Sequence, residues 1–154
     1  MIVVSDTTAL TTLFKAGLEY ILPGLFGEVR IPQAVEQELL QFHPQLPSWC
    51  QVETISDSPL LDALRIAVDA GEAEAIALAL YLKADFVLLD DKKGRRQAEA
   101  LGLTCLALPA VMVAAKRQGL IPSVTEAFAT LATKGRYGVA ESTASVLLRS
   151  VGEA

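Results

Sequence analysis

The sequence is poor in the side chains that most hydrolytic and metal sites rely on. It has one histidine, His43, and two cysteines, Cys50 and Cys105, in neither a CxxC pair nor any Cys/His ligand spacing. A zinc site, a redox-active dithiol and a His-dependent catalytic triad are thereby excluded as working readings. His43, in Phe-His-Pro, reads as a loop or helix-end residue. Charge is also sparse, at 20% of residues, and its balance is acidic: 13 Lys and Arg against 18 Asp and Glu, a formal net charge of -5. A generic nucleic-acid binder would carry the opposite excess, because phosphate contacts come from Lys and Arg. A nuclease is not excluded by this, since carboxylates that hold divalent cations reverse their own local sign. Long hydrophobic runs are missing. Ala75 to Leu82 and Leu106 to Ala115 fall far short of the roughly 20 residues of a membrane span, and the second contains Pro109. The opening Met-Ile-Val-Val-Ser-Asp lacks the basic segment of a secretory signal, so the expectation is a cytoplasmic protein with no membrane association.

What the chain does have is apolar bulk. Hydrophobic residues make up 52% and the mean hydropathy is +0.41, which is rich for a soluble monomer and points to apolar surface covered by a partner. The length, 154 residues, fits one domain spanning 1–154, with a core over about 1–120 and C-terminal helices over about 121–154. A chain of this size buries roughly two-thirds of its unfolded surface and needs no disulfide to do so.

Strand and helix patterns alternate along the chain. Ile2 to Val4 is a β-branched run that ends at Ser5-Asp6-Thr7-Thr8, after which Leu10, Leu13, Phe14 and Leu18 recur at helical spacing. Glu28 to Ile31 is a short extended piece; Pro32 then opens a helix carrying Val35, Leu39 and Phe42 on one face, ended by the loop His43 to Ser48. Gln51 to Ile55 reads as a strand, and Pro59 to Ala70 as a helix. Gly71 separates that helix from Glu72 to Lys83, a segment apolar on nearly every side and so expected to be buried. Phe86 to Leu89 has the continuous apolar character of a central parallel strand. Lys93 to Leu101, Pro109 to Gln118 and a segment opened by the capping box Ser123-x-x-Glu126 and closed by Gly135 read as helices, with Thr104 to Leu108 as a strand. Val139 to Val151 is a weaker helical pattern. Such alternation predicts a parallel sheet covered on both faces, with ligands bound outside the carboxyl ends of its strands. Asp6 and Asp90-Asp91 both stand at such ends.

Each acid also has a plain structural explanation. Asp6 has the position of an N-cap, and Asp90-Asp91 that of a solvated turn. Two strand ends that both finish in Asp nevertheless point to a shared site. Glu38 flanks the apolar stripe of its helix, with Glu36 on the other flank. Glu72 fits a capping box with Asp69, whereas Glu74 projects between Leu78 and Tyr81 on an apolar helix, where a carboxylate needs a cation or hydrogen-bond partners. Glu74 is therefore favoured and Glu72 is second. Converging carboxylates suit Mg²⁺ or Mn²⁺, which prefer oxygen ligands and leave positions for water and phosphate; phosphodiester hydrolysis then needs no His or Ser nucleophile. Lys92, Lys93, Arg95 and Arg96 follow the doublet directly. Cations are disfavoured at a helix start, which favours a phosphate-facing role over a merely solvated turn.

Four motifs in order, Asp6-Thr7-Thr8-Ala9-Leu10, Ile31-Pro32-x-x-Val35-x-x-Glu38-Leu39, Asp69-x-Gly71-Glu72-Ala73-Glu74-Ala75-Ile76 and Leu88-Leu89-Asp90-Asp91-x-x-Gly94-Arg95, resemble PIN-domain proteins of the DUF3368 branch. The resemblance implies a three-layer α/β/α domain around a central parallel sheet and a Mg²⁺- or Mn²⁺-dependent ribonuclease. It also implies frequent use as the toxin of a toxin–antitoxin pair, often as a homodimer. Carried over by motif, Asp6 is the first acid, Glu38 the second, Glu74 or Glu72 the third and Asp91 or Asp90 the fourth. The metal would sit on Asp6, Glu74 and Asp91, and RNA on Lys92, Lys93, Arg95, Arg96 and Thr7. The commoner PIN pattern has Asp at the third position and Thr or Ser shortly before the fourth; this sequence has neither. A non-catalytic PIN-like module binding RNA or protein is the main alternative. A phosphatase built on Asp6 would want a second Asp where Thr8 stands.

Overall fold

The structure is a computed structural model that describes residues 1–154. Its five strands are β1 (Val3–Ser5), β2 (Val29–Pro32), β3 (Cys50–Glu53), β4 (Phe86–Leu88) and β5 (Cys105–Leu106). Nine helices surround them: α1 (Thr7–Ala16), α2 (Ile21–Phe26), α3 (Gln33–Leu40), α4 (Pro59–Ala67), α5 (Ala70–Leu82), α6 (Lys92–Ala100), α7 (Leu108–Arg117), α8 (Val124–Thr133) and α9 (Glu141–Ser150). All strand pairings are parallel, in the order β3-β2-β1-β4-β5. The chain thus starts in the middle of the sheet, winds outward through β2 to β3, and returns beside β1 as β4.

Alternation along the strands divides the interior in two. Val3, Val29, Ile31 and Leu88 pack with α1, α2, α3, α7 and α8 on one face. Val4, Val87 and Leu89 pack with α4, α5 and α6 on the other. This is the three-layer α/β/α arrangement, an α/β fold with an all-parallel sheet. Helix α8 contributes Val124, Ala127, Phe128 and Leu131 to the larger cluster, so the C-terminal helices are continuous with the core. No helix is long and apolar enough to cross a membrane.

Several boundaries differ from the sequence reading for identifiable reasons. Gly71 does not separate two helices. Helix α5 begins at Ala70, capped by Asp69, with Gly71 inside its first turn. Helix α3 stops at Leu40, so Phe42 lies beyond its end and is 76% exposed rather than part of the helical stripe. Helix α2 has no counterpart in the sequence reading, because Pro23-Gly24 has the composition of a break. Pro23 is tolerated there because it falls in the first turn, where no backbone donor is required. Gly24 leaves room for Leu120, whose Cδ1 would stand 2.8 Å from a Cβ there and would have to shift.

Candidate active site

A sheet that starts at its centre and later returns beside its first strand has a topological switch point, here between β1 and β4. The crevice outside the carboxyl ends of those two strands is where such folds bind ligands. Ser5 pairs with Leu88, and the Asp6 backbone N–H donates to the Leu88 carbonyl at 3.2 Å, so Asp6 and the Leu89-Asp90-Asp91 turn leave the sheet side by side.

Asp6 caps α1, its Oδ1 accepting from the Ala9 N–H at 3.0 Å, and is only 2% exposed. Burial pushes its carboxyl up to about 7; the Ala9 bond opposes this, and the charges of Asp90, Asp69 and Glu38 add to it. From the other side comes the start of α5, capped by Asp69, whose Oδ1 accepts from the Glu72 N–H at 2.8 Å. Glu72 is itself buried, and its Oε2 has no hydrogen-bond partner. Burial, then a hydrogen bond with Asp69 and the charges of Asp69, Asp91 and Asp6, raise this carboxyl to about 8. Burying a carboxylate oxygen without a partner is costly, which favours the protonated form.

Gly94 makes room for Glu72. A Cβ there would stand 2.5 Å from Glu72 Oε2, closer than real Cβ atoms come. Gly94 belongs to the first turn of α6, which Asp91 caps by accepting from the Gly94 N–H at 3.0 Å. A parallel arrangement surrounds Glu38. A Cβ on Gly71 would lie 2.7 Å from Glu38 Oε1 and 3.1 Å from Thr7 Oγ1. Burial raises the Glu38 carboxyl and the facing Thr7 hydroxyl lowers it, yet Thr7 Oγ1 completes no well-formed hydrogen bond.

The remaining sequence candidates are placed differently. Both oxygens of Asp90 are engaged: Oδ1 accepts from the Tyr137 hydroxyl at 2.6 Å, and Oδ2 from the Leu108 N–H at 3.4 Å. Glu74 turns away towards α3, its Oε1 accepting from the Ala34 N–H at 3.1 Å and its Oε2 lying 3.7 Å from Arg65. Arg65 also holds Asp57 at 3.0 Å and Asp62 at 3.6 Å. Glu74 thus satisfies an orphan donor at the start of the helix that carries Glu38, a partner that supplies what its apolar helix denied it. Of the basic cluster, Lys92, Arg95 and Arg96 line a shallow groove of about 190 Å³ together with Glu99. Lys93 is exposed outside it. Two residues of the constellation went unmarked by sequence reasoning: Asp69, which the capping-box reading had accounted for, and Tyr137, which carries no local signal.

No three His, Cys, Asp or Glu side chains stand close enough to hold one metal ion directly. The donor chemistry still fits a hard divalent cation. All the donors are oxygens, Glu72 Oε2 is an orphaned buried atom beside Gly94, and Mg²⁺ is commonly bound through one or two carboxylates with waters completing the octahedron.

The family model DUF3368, described as a PIN domain, matches residues 2–153. The chain belongs to the PIN-domain family. PIN domains are generally nucleases and generally use divalent metals, in keeping with the acidic crevice of this one. No curated protein and no solved structure matches this PIN domain.

Proposed function

We propose that this PIN domain is a Mg²⁺- or Mn²⁺-dependent endoribonuclease and acts as the toxin of a toxin–antitoxin pair. The observation that carries the reading is that Asp6 and Glu72 are both buried acids, each raised to near neutrality or above, with an unpartnered buried oxygen on Glu72. Groups so perturbed in a crevice mark functional sites more often than structural ones.

In this reading Asp6, Glu72 and Asp91 would hold the cation in part through its waters rather than all directly, with Glu72 taking the place of third acid and Glu74 anchoring α3. The bound ion supplies a more acidic water and charge stabilisation at the phosphoryl oxygens. Asp6 and Glu72 would have to be deprotonated to hold it, so affinity would rise with pH across the range where they titrate. Lys92, Arg95 and Arg96, in a groove on the helix that Asp91 caps, bind the RNA backbone, with Lys93 adding long-range attraction. The Thr7 hydroxyl, buried beside Glu38, would orient that carboxyl group, leaving the RNA contact expected of Thr7 to the basic groove. A homodimer and a protein antitoxin that covers the acidic crevice are the partners expected, since inserting a basic residue among these carboxylates is enough to exclude phosphate.

The second reading, a non-catalytic PIN domain that binds RNA or protein, is favoured by one observation: no three acids converge to ligation distance. Purified protein with Mn²⁺, a structured RNA and a phosphomonoester separates the possibilities. The expected result is RNA cleavage alone, abolished in Asp6→Asn. RNA binding without cleavage establishes the second reading, and phosphomonoester hydrolysis overturns both. A small protein encoded beside this gene that copurifies and inhibits cleavage supports the antitoxin part.

A further inference from the structure

Asp90 reaches the crevice held by a residue from a remote part of the chain. Its partner Tyr137 lies between α8 and α9, a stretch without acidic or other site motifs. The turn that delivers Tyr137 is tightly specified. Arg136 adopts the left-handed conformation, at φ 52°. Gly135 is pressed against α1 and the end of α8, where a Cβ would meet the Leu131 carbonyl oxygen at 2.8 Å and the Thr12 carbonyl oxygen at 3.2 Å. These are backbone atoms and cannot yield. The Tyr137 N–H closes the turn on the Leu131 carbonyl at 2.9 Å. A left-handed non-glycine residue beside a glycine that tolerates no side chain is a strained and over-determined arrangement. Its product is a half-buried phenol whose hydroxyl donates to Asp90 Oδ1 at 2.6 Å.

Asp90 heads the charges that act on Asp6, and Arg95 lies close enough to act on both Asp90 and Tyr137. With Oδ1 on Tyr137 and Oδ2 on the first turn of α7, the direction of the Asp90 carboxyl group is fixed from two sides.

We propose that Tyr137 is a positioning residue of the active site, acting through Asp90, whose carboxyl group its hydroxyl fixes against the first turn of α7. It does not touch substrate. This rests on the metal-dependent nuclease reading. Without its hydroxyl, Asp90 is free to turn towards Asp6 or Arg95, which disturbs the crevice while leaving the basic groove in place.

The test is Tyr137→Phe, which keeps the ring, set against Glu153→Gln, which loosens the same C-terminal segment far from the crevice. Expected for Tyr137→Phe are a fall of about ten- to a hundred-fold in kcat on RNA with little change in KM, and an altered Mn²⁺ affinity by calorimetry. Glu153→Gln should lower the melting temperature and leave kcat and Mn²⁺ affinity as in wild type. In an Asp90→Asn background Tyr137→Phe should add almost nothing, since residues acting as a unit are not additive. If Tyr137→Phe does not fold, Asp90→Asn alone carries the test, and wild-type kcat and Mn²⁺ affinity there overturn the proposal. An active, Mn²⁺-binding wild type with Tyr137→Phe indistinguishable from it overturns this inference alone. A wild type that neither binds Mn²⁺ nor cuts RNA overturns the functional reading and this inference with it.

Discussion

At the scale of single residues, the acids of the crevice fall into two kinds that should respond oppositely to neutralisation. Asp6 and Glu72 hold their protons more tightly in the folded chain, at about 7 and about 8, than in the unfolded chain, where ordinary values apply. Folding therefore takes up protons, and between about pH 4 and pH 8 the stability of the metal-free protein should fall as pH rises. The expected outcome is a melting temperature that declines across this window, a decline flattened in Asp6→Asn and Glu72→Gln; a melting temperature that rises steadily over it contradicts the assignment. Glu74 behaves as a capping group. Glu74→Ala leaves the Ala34 N–H and Arg65 without their partner and should cost about 0.5–2 kcal/mol, measured by urea denaturation. Gly94→Ala probes the space around Glu72. The carboxylate end of a flexible side chain can retreat from the new methyl group, so the fold should survive while RNA cleavage is lost.

At the scale of elements, α6 joins the two halves of the proposed site. Asp91 caps it at the strand end, Gly94 and Ala98 are buried, and Lys92, Arg95 and Arg96 form a basic groove. Replacing Lys92, Lys93, Arg95 and Arg96 together with Ala should weaken RNA binding and flatten its salt dependence, by up to about 3 in the log–log slope for a single strand. Single-turnover cleavage at saturating RNA should be nearly unchanged. Unaltered affinity at moderate salt would reduce the cluster to a solvated helix start. Helix α9 has another character. It contains no buried residue, and its far end is secured by Glu153, whose carboxylate accepts from the Val124 and Thr125 N–H groups, the Ser123 and Thr125 hydroxyls and Lys116. The Lys116 contact first, then the Thr125 and Val124 donors, hold this carboxyl well below the usual range. Its contribution is present above ordinary carboxyl pKa values and is lost as pH falls below about 4, opposite in sign to that of Asp6 and Glu72.

At the scale of the whole molecule, an acidic chain with a formal net charge of -5 would, on the proposed function, have to draw RNA through one local basic groove. Association should therefore be strongly salt-dependent although the bulk charge repels phosphate. The apolar composition, 52% hydrophobic, supports the proposal of a homodimer. Light scattering at micromolar concentration should report twice the chain mass of 16.4 kDa, and a monomer there refutes it.

Local patterns determined much of this protein. The β-branched run before Asp6, the continuous apolar run before Asp90, and the alternation of strands with helices are readable because backbone periodicity and parallel-sheet burial act over a few residues. The chemistry class was legible too, since the sequence offers many carboxylates and a single histidine. Where each acid points was not legible. Glu72 and Glu74 lie in one turn of one apolar helix, and their rotational positions alone favoured Glu74. Only the neighbours separated them: α3 arrives with an orphan N–H for Glu74, while α6 leaves a gap at Gly94 for Glu72. The same holds for Asp90 and Asp91, one bound by Tyr137 from the far end of the chain and the other capping its own helix. Side-chain direction is set by which polar partners the packed elements bring within reach, and those partners are remote in sequence.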